Sequence, residues 1–155
     1  MFTQAYRLYY AFDLVPGFWS GLAIHAQDGH VKSVDRVLDE INMKDDELKI
    51  WVNKKFGHWF EDTRQQDVLN AYASIIGWTQ KESYKERAKK DFAQAGNADA
   101  WVVAHALAKG FIVVTQERYN ADIKRKIPIP NVCRKFGVRC LNTFEMMREL
   151  NMTIS

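Results

Sequence analysis

The hydrophobic pattern of the chain changes period most clearly within residues 96–117. Apolar residues first recur every three or four positions, as on one face of a helix, and Asn97 or Asp99 can cap the free N–H groups at the start of that helix. Gly110 ends the helix, and the apolar run 111–114 is typical of a strand buried on both faces. The segment therefore predicts a helix followed directly by a strand, which is half of a β–α–β unit.

The same reading predicts helices alternating with short strands along the rest of the chain. Pro16 and Gly17 should end a first helix, and a helix capped by Ser33 or Asp35 should follow the first strand. The first helix is predicted over residues 2–14, and further helices over 18–26, 45–56, 64–78, 82–95, 131–136 and 144–150. Strands are predicted over 30–33 and 138–141, and a proline-punctuated loop over 119–130. This order of elements predicts one domain, residues 1–155, with a three-layer α/β fold and a short, mostly parallel sheet.

Two acidic residues flank the helix–strand unit. Asp99 lies at the N-terminal end of the helical stripe that faces the sheet, and Glu117 lies just after the strand. Because the helix of a right-handed α/β unit runs antiparallel to the next strand, both carboxylates should lie at one edge of the sheet, where such sheets bind ligands. Taken singly, Asp99 also suits the helix dipole and Glu117 also suits a turn. Together they indicate a hydrogen-bonded network or a site for a divalent cation.

The charge of the chain is modest in sum but uneven along the sequence. The net charge is +3, yet residues 81–90 contain five basic and two acidic residues, and residues 118–126 contain four basic and one acidic residue. Basic segments beside a focused group of carboxylates suit a metal-dependent enzyme that acts on a polyanion. Solvated helix and loop surfaces are an equally good interpretation of each segment taken separately.

Other compositional features exclude several classes of protein. The chain is 47% hydrophobic and 26% charged, as in ordinary globular domains, and it carries neither an apolar run of membrane-spanning length nor a signal-peptide pattern. We therefore expect a cytoplasmic protein with no membrane contact, in which Cys133 and Cys140 are reduced thiols. The four histidines show no ligand spacing, and no catalytic triad or phosphate-binding glycine loop is present. We interpret the early aromatic residues as core packing rather than base-stacking groups, namely Tyr6, Tyr9, Tyr10, Phe18 and Trp19.

Three segments resemble a known family. ADAWVVAHALAKGFIVVTQE at residues 98–117 resembles the second half of PIN-domain ribonucleases, in which an Asp at a helix start and an acidic residue after the next strand bind metal. YYAFDLVPGFW at 9–19 and NVCRKFGVRCLNTFEMMREL at 131–150 are similar to a bacterial PIN-like subgroup related to VapC-type toxins. The resemblance covers nearly the whole chain and implies a PIN-like α/β/α fold with a helical insertion at about residues 45–95.

The resemblance implies a metal-dependent ribonuclease. Asp99, Glu117 and Glu40 would bind Mg²⁺ or Mn²⁺, which activates water for attack on an RNA phosphodiester, and Thr115 would hydrogen-bond a bound water or phosphate. Glu40 depends on the resemblance, and Asp39 is the alternative if the register is shifted by one residue. The expected contacts with RNA phosphates come from Lys85, Arg87, Lys89, Arg118, Lys124 and Arg125. The resemblance further implies an antitoxin partner, and the insertion would shape substrate access and the contacts of a possible homodimer.

The sequence departs from the family pattern at its N-terminus. PIN domains open with a central strand that ends in the first metal-binding Asp, whereas this sequence begins at the helix that follows it. One hypothesis is that a GTG codon within a longer gene is read as Met1, and the other is a naturally shortened, inactive protein. We expect weak metal binding and slow or absent cleavage by the chain as given. The alternatives to a nuclease are an inactive module that binds RNA or a partner protein, and a structural subunit with no role in nucleic-acid binding.

Overall fold

The computed structural model describes residues 1–154 and consists of helices packed around short parallel strands. The helices are α1 (Phe2–Gln4, continued by a π-helical turn at Ala5–Tyr9), α2 (Pro16–Gln27), α3 (Asp35–Asn42), α4 (Glu47–Trp51, continued by a π-helical turn at Val52–Phe56 and a 3₁₀ turn at Gly57–Trp59), α5 (Gln66–Lys81), α6 (Glu86–Phe92), α7 (Asp99–Lys109), α8 (Ile129–Phe136) and α9 (Thr143–Glu149). The strands are β1 (Ser33–Val34), β2 (Phe60–Glu61), β3 (Val113–Val114) and β4 (Cys140–Leu141). This mixture of helices and short parallel strands agrees with the predicted α/β class.

The described strands form two separate pairs rather than one continuous sheet. β1 pairs in parallel with β2, and β3 pairs in parallel with β4. The residues opposite each other are Ser33 and Phe60, Val34 and Glu61, Val113 and Cys140, and Val114 and Leu141. The sequence pattern predicts β1, β3 and β4 to within a few residues but misses β2, because two residues within an aromatic run carry no strand periodicity.

A cavity of about 430 Å³ is lined by β1 on one side and by β3 on the other. The N–H groups of Val113 and Thr115 donate to carbonyl groups on the β4 side. Backbone N–H and C=O groups alternate in direction along a strand, so those of Ile112 and Val114 point away from β4. Both residues line the cavity. The prediction of a strand buried on both faces is therefore wrong for Phe111 and Ile112, which are 37% and 41% exposed and open onto this cavity.

Two apolar clusters stabilise the molecule. The first combines α1, α2, the helical segment from α4 to Phe56 and α9 around rings such as Phe18, Trp19 and Phe56, all of which are 2% exposed or less. The second combines α5, α7 and α8, and in it the rings of Tyr72 and Trp101 are stacked with their centroids 3.8 Å apart. Helix α7 carries Asp99 as its first residue, so the second cluster fixes the position of this carboxylate.

The first helix is shorter than predicted. It was expected to extend to residue 14, but the helical segment ends at Tyr9, and Tyr10 leaves the helix with a φ of −130°. The carbonyl group of Tyr10 accepts a hydrogen bond from Trp19 Nε1 at 2.8 Å, and its ring stacks on Phe18 at 4.1 Å. Tyr10 makes both contacts with α2 after leaving the helix, and these contacts stabilise the end of the helix at Tyr9.

Two prolines start helices rather than preventing them. Pro16 is the first residue of α2, although the sequence pattern assigns it to the end of the preceding helix. Pro130 lies in the first turn of α8, which begins two residues earlier than predicted. In the first helical turn the missing N–H of proline costs nothing, because that group has no partner within the helix anyway. Among residues 1–154, no helix combines the length and the apolar character that crossing a membrane would require.

Candidate functional site

Three carboxylates from separate elements meet near the start of α7. Glu40 lies in the last turn of α3, Asp99 is the first residue of α7, and Glu117 follows β3. Glu40 Oε1 accepts a hydrogen bond of 2.8 Å from the N–H of Ala98, the residue directly before Asp99. Glu40 and Asp99 also line the same cavity. Of the two alternatives from the sequence, Glu40 and Asp39, the structure therefore brings Glu40 to Asp99.

The electrostatics of the site reflect this crowding. The pKa of Asp99 rises from 3.8 to about 6, first because its carboxyl group is buried and then because Glu117 and Glu40 are negative neighbours. Lys126 and the amino group of Met1 act in the opposite direction but are weaker. Burial lowers the pKa of the Met1 amino group, whereas Asp99, Glu117 and Glu40 raise it. All three carboxylates therefore act on one small region of the molecule.

Glu117 is held in place through both of its carboxylate oxygens. Oε1 accepts a hydrogen bond from Lys126 Nζ at 2.7 Å, and Oε2 accepts one from the N–H of Ile129, the first residue of α8, at 2.8 Å. The hydroxyl oxygen of Thr115 accepts a hydrogen bond of 3.1 Å from the N–H of Glu117, and Thr115 is only 3% exposed. In this structure Thr115 holds the turn that presents Glu117. Its predicted contact with a water or phosphate stays a prediction.

The donor set fits a hard divalent cation. All three side chains offer carboxylate oxygens, the ligands that Mg²⁺ and Mn²⁺ prefer. Each oxygen has two lone pairs, so the hydrogen bonds to Glu40 and Glu117 leave free positions for a metal. Lys126 competes with a metal for Glu117, but its side chain is 55% exposed on a flexible stem. A cation at this position would relieve the repulsion that raises the pKa of Asp99.

Two basic segments far apart in the sequence lie side by side. The N–H of Lys85 donates to the carbonyl group of Lys124 at 2.8 Å, and Lys124 Nζ lies 5.5 Å from the centre of the Tyr84 ring. Lys85 directly precedes α6, which begins at Glu86, four residues later than predicted. Five of the predicted RNA contacts are exposed, namely Lys85, Arg87, Arg118, Lys124 and Arg125.

Lys89 does not belong to this exposed basic surface. It is only 8% exposed, and its Nζ donates to the carbonyl group of Gln80 at 3.1 Å and to Glu86 Oε1 at 3.3 Å. The prediction that Lys89 contacts RNA is therefore corrected. Its ammonium group instead satisfies the carbonyl group of Gln80 in the last turn of α5.

A second cavity, of about 630 Å³, adjoins Glu117. We call it the aromatic cleft, and its lining includes Tyr9, Thr115, Glu117, Arg118, Tyr119, Arg134 and Phe144. The rings of Tyr9, Tyr119 and Phe144 are 60%, 46% and 52% exposed, and the guanidinium group of Arg134 lies 4.4 Å from the centre of the Tyr119 ring. The core-packing interpretation is thus wrong for Tyr9. It is correct for Tyr10, Phe18 and Trp19, which are buried.

Tyr119, Arg134 and Phe144 are not among the site residues predicted from the sequence. Tyr119 had one usable signal, its position two residues after Glu117 within a basic loop. Arg134 and Phe144 reach the aromatic cleft from α8 and α9, so only the packing of these helices brings them beside Glu117.

We predict that Asp99→Asn raises the melting temperature at pH 7.5 in the presence of a chelator. A pKa raised from 3.8 to about 6 means that the folded state binds the proton more tightly than the unfolded chain, so stability is full below pH 3.8 and is lost as the pH rises through 6. The asparagine variant escapes this loss, which is on the order of 3 kcal/mol. Differential scanning calorimetry at pH 4 and pH 7.5 measures the effect, with the exposed Asp45→Asn as a control. If Asp99→Asn melts at a lower temperature than the wild type at pH 7.5, the crowding of the carboxylates is contradicted.

Comparison with known proteins places the chain in a family. Neither the curated proteins nor the solved structures contain a match to it. Residues 1–154 match the family model described as Domain of unknown function (DUF4411). The match spans all of the described residues, and the chain therefore belongs to this DUF4411 family.

Proposed function

We propose that this protein is a metal-dependent ribonuclease with a PIN-like three-layer fold, acting as the toxin of a toxin–antitoxin pair. The observation that carries the proposal is the convergence of Asp99, Glu117 and Glu40 near the start of α7, where burial and mutual repulsion raise the pKa of Asp99 to about 6. Strongly perturbed carboxylates beside a cavity are typical of functional sites. The parallel strands with flanking helices and the resemblance of residues 98–117 to PIN domains support the same proposal.

The chain's own groups prepare the carboxylates for metal binding. The N–H of Ala98 orients Glu40, and the N–H of Ile129 orients Glu117, so two of the three ligands are held before any cation arrives. Asp99 is restrained by α7, where the side-chain oxygen of Asn97 accepts its N–H at 3.0 Å. A bound Mg²⁺ or Mn²⁺ would supply an activated water for in-line attack on a phosphodiester.

The surroundings of the carboxylates suit RNA as the substrate. Glu117 lies between the metal-binding region and the aromatic cleft, so a strand of RNA in the cleft would pass directly beside the carboxylates. Exposed rings such as Tyr119 and Phe144 offer stacking platforms for unpaired bases, and Arg118 and Arg134 offer contacts to phosphates. The exposed lysines at positions 85 and 124 extend the positive surface beyond the cleft.

An inactive module that binds RNA or a partner protein is the second candidate. The ion pair between Lys126 and Glu117 favours it, because a lysine already neutralises one of the carboxylates. The aromatic cleft would serve such a module equally well, since binding requires no metal.

A cognate antitoxin that covers this cleft, and a homodimer formed through the inserted helices, are also part of the toxin proposal.

We predict that Asp99→Asn lowers the rate of RNA cleavage in Mn²⁺ at least about tenfold, because one of three charged oxygen ligands is lost. The assay follows a fluorescently labelled RNA on denaturing gels, with and without EDTA, which should abolish cleavage. Asp39→Asn is the matched control, because Asp39 neighbours Glu40 in α3 but is not among the carboxylates that act on Asp99. Cleavage that survives EDTA, or that Asp99→Asn leaves unchanged, contradicts the nuclease proposal.

We predict that the double variant Tyr119→Ala, Phe144→Ala binds single-stranded RNA at least about tenfold more weakly, since each stacked base contributes about 1–3 kcal/mol. Fluorescence anisotropy in EDTA, with Asp99→Asn as the background, separates binding from cleavage. Met43→Ala is the control, because Met43 is 83% exposed and lies outside the cleft. If the double variant binds RNA as tightly as Met43→Ala does, the cleft is not the RNA site.

A further inference from the structure

The end of α2 brings together three metal-ligating side chains that play no part in the acidic site. One ligand atom from each of His25, Asp28 and His30 lies within 4.8 Å of the other two. The expectation that the histidines have no ligand arrangement is therefore wrong for two of the four. The spacing His-x-x-Asp-x-His contains the signal, but it leads to a cluster only if the chain reverses direction directly after the helix.

A rigid turn produces that reversal. The N–H groups of His30 and Val31 donate to the carbonyl group of His25 at 2.8 and 3.2 Å, and the N–H of Gly29 donates to that of Ala26 at 3.0 Å. Gly29 adopts a φ of +81°, a conformation that glycine reaches without strain. The backbone therefore holds His30 beside His25 before any ligand arrives, and the centroids of the two rings lie 5.9 Å apart.

The three side chains are free to bind a ligand. Asp28 and His30 are exposed, and within residues 1–154 none of the three side chains takes part in a hydrogen bond or an ion pair. Nδ1 of His25 is shielded from solvent and has no hydrogen-bond partner in this part of the chain. A polar ring nitrogen without a partner is costly to bury, and a cation bound at Nδ1 would supply the missing partner.

We propose that His25, Asp28 and His30 bind a transition-metal cation of the Zn²⁺ class. Two imidazoles and one carboxylate are the ligands that Zn²⁺ and its neighbours accept, whereas Mg²⁺ prefers oxygen ligands alone. Bonds of about 2.0–2.2 Å place tetrahedral ligand atoms roughly 3.4 Å apart, so modest rotations of two exposed side chains complete the site. Water fills the fourth position.

The electrostatic setting favours a cation at this position. The site lies at the C-terminal end of α2, a helix of 12 residues, where the partial negative charge of the helix dipole attracts cations. The nearby Lys32 is paired with Glu61 at 2.9 Å, so its charge is largely neutralised. β1 begins three residues after His30, and α3 with Glu40 follows β1. His30 lines the same cavity as Glu40 and Asp99, but none of the three proposed ligands is a carboxylate of the acidic site. A metal here would fasten the end of α2 to the segment before β1.

Zn²⁺ titration of the full chain tests this proposal. The protein is stripped of metal, kept reduced, and titrated calorimetrically with Mg²⁺ in excess to occupy sites made of oxygen ligands. We expect His30→Ala to bind one equivalent of Zn²⁺ fewer than the wild type, and Asp28→Asn to bind that equivalent at least about tenfold more weakly. His58→Ala is the matched control, since His58 is exposed and lies outside the cluster. It should bind Zn²⁺ as the wild type does.

Thermal melting gives a second readout. Zn²⁺ should raise the melting temperature of the wild type and of His58→Ala, because a ligand that binds only the folded state stabilises it, and should leave that of His30→Ala unchanged. Circular dichroism in EDTA checks that the variants fold. Equal Zn²⁺ binding by His30→Ala and the wild type, or an equal loss in His58→Ala, overturns the proposal. Neither readout involves RNA, so the result is independent of the proposed nuclease function.

Discussion

The burial of the Asp99 carboxyl group beside two other carboxylates, Glu117 and Glu40, is the constraint on which the surrounding structure depends. The carboxylate of Glu40 accepts a hydrogen bond from the N–H of Ala98, and that of Glu117 accepts hydrogen bonds from Lys126 Nζ and from the N–H of Ile129. Within residues 1–154 the side chain of Asp99 accepts no hydrogen bond, and Lys126 and the Met1 amino group only partly oppose the effects of burial and acidic neighbours, so its pKa rises to about 6. Folding alone gains nothing from this arrangement, because a buried and repelled carboxylate lowers stability at neutral pH. The proposed binding of a cation would offset this cost, because a positive charge stabilises the ionised carboxylates.

The path of the chain explains how residues far apart in sequence come together. Helix α7 ends at Gly110, whose φ of 72° reverses the chain into β3. Because β3 runs back along α7, the end of β3 lies near the start of α7. The turn held by Thr115 then places Glu117 near Asp99. The loop after Glu117 carries Lys126 back to it and then starts α8, so basic and acidic groups lie on neighbouring surfaces.

The parts of the structure that were predictable from sequence are those that depend on local signals. The position of Asp99 and Glu117 at one edge follows from a helix, a glycine and a strand within 22 residues, and the sequence predicted it. Glu40 required the family resemblance, because its link to Ala98 spans 58 residues. The clustering of Lys85 with Lys124 had no local signal, since it depends on a hydrogen bond between segments 39 residues apart.

The errors have the same physical origin. Tyr9 was assigned to the core because the helical period continued, but the contacts of Tyr10 with α2 end the helix and leave Tyr9 exposed. Lys89 is predicted to contact RNA because it lies in a basic segment of the helical insertion, but the carbonyl group of Gln80 and the carboxylate of Glu86 satisfy its ammonium group. In each case a tertiary contact outweighed a local preference.

Anomalous diffraction from crystals soaked in Mn²⁺ tests the central claim most directly. Data collected near the manganese absorption edge locate the ion without reference to activity or RNA. Our account predicts an anomalous peak about 2.0–2.6 Å from carboxylate oxygens of Asp99 and Glu117, with Glu40 beside it. A structure in which Mn²⁺ binds elsewhere, or in which these three carboxylates point apart into solvent, would contradict it.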